Sequence, residues 1–270
     1  MKADKQPVVL IHGWKSHPGV WRHLIARLDT FGIPAWNFGY EMNPDPHPVT
    51  VAEDLRDFIA DMRRKTRYRG EIDIITHSMG THITRFFLEV QDGKEHAEKV
   101  RQFIGIGPPN NGSSMAELFC DPIFEEEMRG KLEGVFVPPG FEPEDDSLVQ
   151  EVRPGSVTMA TLKQAGLRSD IRYSCILSEN ITRKEQFFPV LGGKTWVFMP
   201  DGTWQMTWAG DGVIPHADSI MPGIDHEIIP ADLRLFESSP DRYCHSSLPK
   251  NSEVIECVVR SLTGADRRSS

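Results

Sequence analysis

The sequence predicts an α/β protein built on a mostly parallel sheet with helices on both faces. From Pro7 to Ile106, short apolar runs rich in β-branched residues alternate strictly with segments of helical spacing. The runs are continuous rather than alternating, as in strands buried on both sides. Three loops, His12-Gly13-Trp14, Ser78 and Gly107-Pro108-Pro109-Asn110-Asn111-Gly112, fall at carboxyl ends of these runs. Parallel sheets bind ligands at that rim.

Taken in order, Pro7 to Ile11 forms the first strand, and Gly13 permits a tight turn after it. Val20, Leu24, Ile25 and Leu28 mark a helix closed by Gly32, and Ile33 to Phe38 is the next strand. After a connection rich in proline (Pro44, Pro46, Pro48), Val51, Leu55, Phe58, Ile59 and Met62 line one helix face. Glu71 to Thr76 reads as a buried strand, and Met79, Ile83, Phe86, Phe87 and Val90 as the helix after it. Val100 to Ile106 is again a strand.

Residues 113 to 166 break this rhythm. The stretch carries the loop former Val137-Pro138-Pro139-Gly140-Phe141-Glu142-Pro143 and the charge run Glu142, Glu144, Asp145 and Asp146. The expected organisation is therefore a core of 1–112 and 167–270 with a partly helical lid or cap at 113–166. Such a cap over the rim would line an apolar pocket with Met115, Leu118, Phe119 and Phe124; the alternative is an elaborated surface loop. Asp170 to Leu177 returns to strand pattern. Pro200-Asp201-Gly202-Thr203 joins two runs as a hairpin, a strand is expected near Glu227 to Phe236, and Val254 to Leu262 forms a last helix before a frayed tail at Asp266 to Ser270.

Composition bounds the function. With 270 residues, 39% hydrophobic and 26% charged, the chain suits one soluble globular domain with an insertion. No run of 18 apolar residues is available to span a membrane. The polar Met1 to Pro7 leads straight into a strand and leaves no room for a signal peptide, so a cytoplasmic location is expected. Cys120, Cys175, Cys244 and Cys257 lack metal-type spacing and read as free, mostly buried thiols. A net charge of −9 disfavours nucleic acid as a partner. The basic cluster Arg63-Arg64-Lys65 with Arg67 and Arg69 reads as a solvated helix end. Gly192-Gly193-Lys194-Thr195 fails the phosphate-loop pattern, which requires glycine where Phe188 stands, and Gly105 to Asn110 fails the dinucleotide fingerprint.

The chemistry gathers around Ser78. A serine on an abrupt strand-to-helix turn has its hydroxyl exposed, with N–H groups of the helix start beside it. A hydroxyl is a poor nucleophile unless a base takes its proton and an acid orients that base. On an open α/β sheet the order is Ser, then Asp or Glu, then His. Asp201 and Asp211 compete for the acid. Asp201 is explained by its hairpin turn, so Asp211 is favoured, with Asp218 and Asp225 behind it. For the base, His216 is too near Asp211 in sequence and His226 precedes the last strand. His245, in the loop before the final helix, is favoured. His12, His77 and His82 read as support for the turn or as core histidines. The backbone N–H groups of Met79 and Trp14 are the expected oxyanion donors.

Thr76-His77-Ser78-Met79-Gly80, His12-Gly13-Trp14, Gly107 to Gly112, Gly210 to Pro215 and Cys244 to Leu248 together resemble bacterial lipases and esterases of the α/β-hydrolase superfamily. The resemblance runs from Pro7 to Leu262 apart from 113–166. It implies an α/β-hydrolase fold, a Ser78–Asp211–His245 triad, an oxyanion hole at Trp14 and Met79, a small-molecule or lipid ester substrate, and no metal or organic cofactor. The family's first glycine is Thr76 here, which bears on turn strain and pocket shape. Thioesterase, amidase or acyltransferase chemistry on the same scaffold, and a non-catalytic binding protein, are the competing expectations.

Overall fold

The computed structural model describes residues 5–43 and 46–264. The polar start Met1–Asp4, Pro44 and the tail Asp266–Ser270 lie outside them. Strand β1 (Val8–Ile11) leads through a short 3-10 turn, Pro18–Trp21, into α1 (Arg22–Thr30), and β2 (Ala35–Phe38) follows. Val20 therefore belongs to the turn rather than to the helix. Gly32 ends the segment in the left-handed region (φ 62°), its N–H donating to Asp29 O at 2.9 Å.

The long helix α2 (Pro48–Thr66) opens with Pro48 and with His47 as its cap, whose ring accepts from Val49 N–H. It buries Val51, Leu55 and Ile59 and ends at Arg67 in the left-handed conformation. At that end Arg63 pairs with Glu98, and Arg64 lies 3.1 Å from Asp61. Strand β3 (Ile72–His77) and α3 (Met79–Arg85) follow, α3 widening into a π-helical turn over Phe86–Gln91 before β4 (Val100–Ile106).

The 113–166 stretch is helical in short pieces: α4 (Ser114–Leu118), α5 (Glu125–Leu132), α6 (Ser147–Glu151) and α7 (Val157–Ala165). Ser113, Asp146 and Ser156 cap α4, α6 and α7 through their side chains. Next come β5 (Arg172–Ser178) and the hairpin β6 (Thr195–Phe198) and β7 (Trp204–Thr207), in whose turn Asp201 accepts from Thr203 N–H at 3.0 Å. The chain closes with α8 (His216–Ser219), β8 (Asp225–Ile229), α9 (Leu233–Ser238) and α10 (Ser252–Thr263).

The last strand is shorter than expected. The strand expected near Glu227 to Phe236 ends at Ile229, and its second half is α9. Pro230 has no N–H to continue a ladder, and the Asp232 carboxylate accepts from Arg234 and Leu235 N–H, which starts a helix instead.

The main sheet is parallel throughout, in the order β2-β1-β3-β4-β5-β8. From β1 the chain first moves outward to β2, then returns past β1 to β3. Right-handed crossovers in opposite directions put α1 and α2 on opposite faces. All four residues of β1 are fully buried, as is most of β3. Each such Val, Leu or Ile contributes about 1.5–3 kcal/mol. The reversal between β1 and β3 opens a crevice at their carboxyl ends. Ile11 is level with Thr76, and His77 with Ile106, so the three loops noted in the sequence emerge side by side. Among the described residues, no helix is long and apolar enough to cross a membrane.

Candidate active site

Ser78 sits between β3 and α3 with φ 51° and ψ −124°, a backbone region that non-glycine residues rarely adopt. Such a conformation costs about 1–3 kcal/mol and persists only where its surroundings impose it. Here the Ser78 N–H donates to Ile106 O at 3.0 Å, and its carbonyl accepts from Thr81 N–H at 2.8 Å. Close packing does the rest. A Cβ on Gly80 would lie 2.6 Å from His12 O, and one on Gly13 would lie 3.1 Å from Ser78 Cβ.

The threonine at 76 has a physical account. Its hydroxyl pairs with that of Thr81, 2.7 Å away beneath the turn. Its neighbour across the ladder is Gly105, where a Cβ would approach Thr81 Oγ1 to 3.4 Å and Pro108 Cβ to 3.0 Å. The small residue needed under the turn thus sits one strand over.

His245 Nε2 lies 2.8 Å from Ser78 Oγ, and His245 Nδ1 lies 2.7 Å from Asp211 Oδ2. The second oxygen of Asp211 accepts from the N–H groups of Val213 (3.0 Å) and Ile214 (2.7 Å), while its carbonyl accepts from His245 N–H at 2.8 Å. Both side chains are buried, so this hydrogen-bonded chain runs with little competition from water. Gly107 permits it: with φ 53°, a Cβ there would come 2.7 Å from Asp211 Oδ2.

His77 props the imidazole from below. Its Nε2–H donates to His245 O at 3.1 Å, and the two rings lie 4.7 Å apart. Burial, reinforced by the nearness of His245, pushes the His77 pKa down, which keeps a second cation out of the site. His12 is likewise held neutral by burial, stacked on Tyr40 at 4.3 Å.

The other candidates lie elsewhere. Asp201 is in its exposed hairpin turn, and Asp225 and His226 are on β8, at the sheet's far end. His216 Nε2 donates to Ser178 O at 2.9 Å. Asp218 is buried and accepts from Ser114 N–H (2.6 Å) and Ser114 Oγ (2.8 Å). Burial still dominates and raises its carboxyl to about 7, with Asp211 adding to the effect.

Trp14 and Met79 flank Ser78 on a small apolar cavity of about 40 Å³, whose wall also includes Met115, Phe119, Phe136, Val149 and Ile214. Two expected wall residues are placed differently. Leu118, the last residue of α4, is fully buried and lies outside the lining. Phe124 packs on Trp196 (5.3 Å) and Trp204 (6.5 Å) of the hairpin. Sequence reasoning passed over Phe136, Val149 and Val152, which stand in irregular or short segments without a readable period. It also passed over Arg85, which reaches from α3 to Asn110 O at 2.8 Å while paired with Glu89. An arginine and a glutamate four apart, with no other Asp, Glu, Lys or Arg on that helix, was the available signal. The four cysteines are unpaired thiols, three of them buried.

A family model for class 2 lipases matches residues 5–128, a little under half of the chain. No curated protein matches the sequence. Among solved structures, the mature lipase BlEst2 of Bacillus licheniformis is similar with a TM-score of 0.63 at 14% identity, covering 97% of this chain and 93% of that one. A Listeria innocua gene product has a TM-score of 0.57 at 16% identity, with 95% and 93% covered. A metagenomic carboxyl esterase gives 0.57 at 13% identity, with 98% and 77% covered. The strand order and these likenesses agree: the chain has the α/β-hydrolase fold and is similar to bacterial lipases and esterases.

Proposed function

We propose that the protein is a serine hydrolase that cleaves carboxylic esters through an acyl-enzyme. The observation that carries this reading is the continuous chain of short contacts, Ser78 Oγ to His245 Nε2 (2.8 Å) and His245 Nδ1 to Asp211 Oδ2 (2.7 Å). His245 takes the serine proton as Oγ bonds to the ester carbonyl carbon. The resulting oxyanion is held by the N–H groups of Met79 and Trp14. The imidazolium then gives its proton to the departing alcohol oxygen, leaving the acyl group on Ser78. Water, deprotonated by the same imidazole, attacks that acyl carbon and releases the acid and free serine. Asp211 holds the productive tautomer and offsets the imidazolium charge. The apolar wall of Met115, Phe119 and Phe136 favours an uncharged acyl group. In this reading residues 113–166 are the cap over the rim. The class 2 lipase model and the lipase and carboxyl esterase among the structural neighbours support ester bonds over thioester or amide bonds.

The test pairs a label with turnover. A fluorophosphonate should modify Ser78 in folded protein, and p-nitrophenyl esters should turn over faster than acyl-CoA or anilide substrates. Folded protein whose Ser78 stays unlabelled would be a binding protein instead, and acyl-CoA preference would move the reading to a thioesterase.

A further inference from the structure

The cavity beside Ser78 has two walls from distant parts of the chain, and one carboxylate joins them. Asp146 Oδ2 accepts from the Trp14 indole N–H at 3.0 Å and pairs with Lys15 Nζ at 2.9 Å. Its Oδ1 accepts from Val149 N–H at 3.1 Å, capping α6. Trp14 and Lys15 belong to the loop after β1, whereas Val149 and Val152, which line the cavity together with Trp14, belong to the 113–166 stretch. The Trp14 ring also rests on Phe136 (5.7 Å) and Phe141 (5.2 Å) of the 113–166 stretch. The Asp146 side chain is only 8% exposed, and a carboxylate so enclosed requires the partners it has. Lys15, the lysine of this pair, has φ 48°, an uncommon conformation for a non-glycine residue.

The cavity that this clasp holds measures about 40 Å³, whereas ligand pockets run at about 300–1,000 Å³. A long acyl chain therefore has to part the two walls, while an acyl group of few carbons does not. We propose that Asp146 is a specificity-determining residue: by tying Trp14 and Lys15 to the start of α6 it restricts the protein to short acyl groups. This rests on the ester-hydrolase reading above. The clasp would be opened by a long chain only at the expense of a charge-assisted hydrogen bond and an ion pair.

The experiment compares p-nitrophenyl acetate with the octanoate in wild type, Asp146→Ser and Lys15→Met. Serine keeps the cap on Val149 N–H but is too short to reach the indole and the ammonium. The wild type should favour acetate. Asp146→Ser should raise the octanoate-to-acetate ratio of kcat/KM about tenfold, the size of one charge-assisted hydrogen bond. Lys15→Met, removing a half-exposed partner, should raise it about twofold. Amide hydrogen exchange across 134–152 should quicken in Asp146→Ser. An unchanged ratio, or a parallel fall for both esters, overturns the proposal. So does unchanged exchange, a readout that needs no catalysis. A wild type that turns over no ester and leaves Ser78 unlabelled would instead refute the ester-hydrolase reading, with exchange still judging the clasp.

Discussion

Two regions meet at the cavity and are built differently. The rim of the sheet rests on strands that are almost wholly buried, and its loops are fixed by backbone hydrogen bonds and by glycines with no room for a Cβ. The 113–166 stretch consists of helices of five to nine residues. It presents Ile123, Val135 and Val157 to solvent. Its ties to the rim are side-chain contacts such as those of Asp146. Geometry that must hold to a fraction of an ångström belongs on the first kind of support. Adaptable substrate contacts can be left to the second.

The sharpest way to break this contrast is to truncate side chains on either side of the cavity. Ser78→Ala and His245→Ala should each lower kcat by about 10⁶-fold and Asp211→Asn by about 10⁴-fold, with the double variants no worse than the single ones. Met115→Ala and Phe119→Ala, across the cavity, should act mainly on KM and chain-length preference. Steady-state kinetics on a short ester decides. Should Phe119→Ala depress kcat as deeply as Asp211→Asn, the division between fixed chemistry and adaptable contact is wrong.

Stability offers the next test, since each region contains an arginine–glutamate pair. Arg85 and Glu89 are 3% and 0% exposed, whereas Arg153 and Glu117 are 30% and 18% exposed. Arg85→Met leaves Glu89 charged in the core and Asn110 O without its donor, so it should cost about 3–5 kcal/mol. Arg153→Met should cost less than about 1 kcal/mol. Urea unfolding of the two variants measures the difference, and equal losses would mean that the 113–166 stretch is as tightly integrated as the sheet.

The same division governs what could be read in the sequence. The strands were legible because a central parallel strand must be apolar at every position, a pattern visible without partners. Ser78, Asp211 and His245 were legible as a set because chain order and strand ends constrain them, even though Asp211 and His245 lie 34 residues apart. The cap was not. Met115 and Phe119 do face the cavity, but Leu118 and Phe124 do not, because short helices broken by turns carry too few periods to fix a face. Asp146 appeared only as one member of an acidic run, since its partners are 131 and 132 residues away. The strand expected through Phe236 failed for a local reason, the capping carboxylate of Asp232.

The smallest expected effect concerns the junction itself. His82 lies on α3 with its Nε2 3.4 Å from Thr158 Oγ1 on α7, and its Nδ1 has no partner among the described residues. Burial, helped by the charges of Arg85 and His47, pushes its pKa down to about 3 from an ordinary 6.5. The unfolded chain therefore takes up a proton that the folded one refuses. The contribution is intact above 6.5 and is lost as pH falls toward about 3, by up to about 1.4 kcal/mol per pH unit. Buried His77 carries the same sign, and the raised carboxyls of Asp73, Glu89 and Asp218 the opposite one, so the whole curve cannot isolate His82. The difference between wild type and His82→Gln can, because glutamine keeps a polar group but does not titrate. Urea unfolding at pH 7 and pH 5 should show wild type losing more stability than the variant, and at pH 5 amides across 157–165 should exchange faster in wild type than in the variant. Equal losses would mean that the α3–α7 contact opens enough to hydrate the ring, and that the boundary between the rim and the 113–166 stretch is looser than the burial of His82 implies.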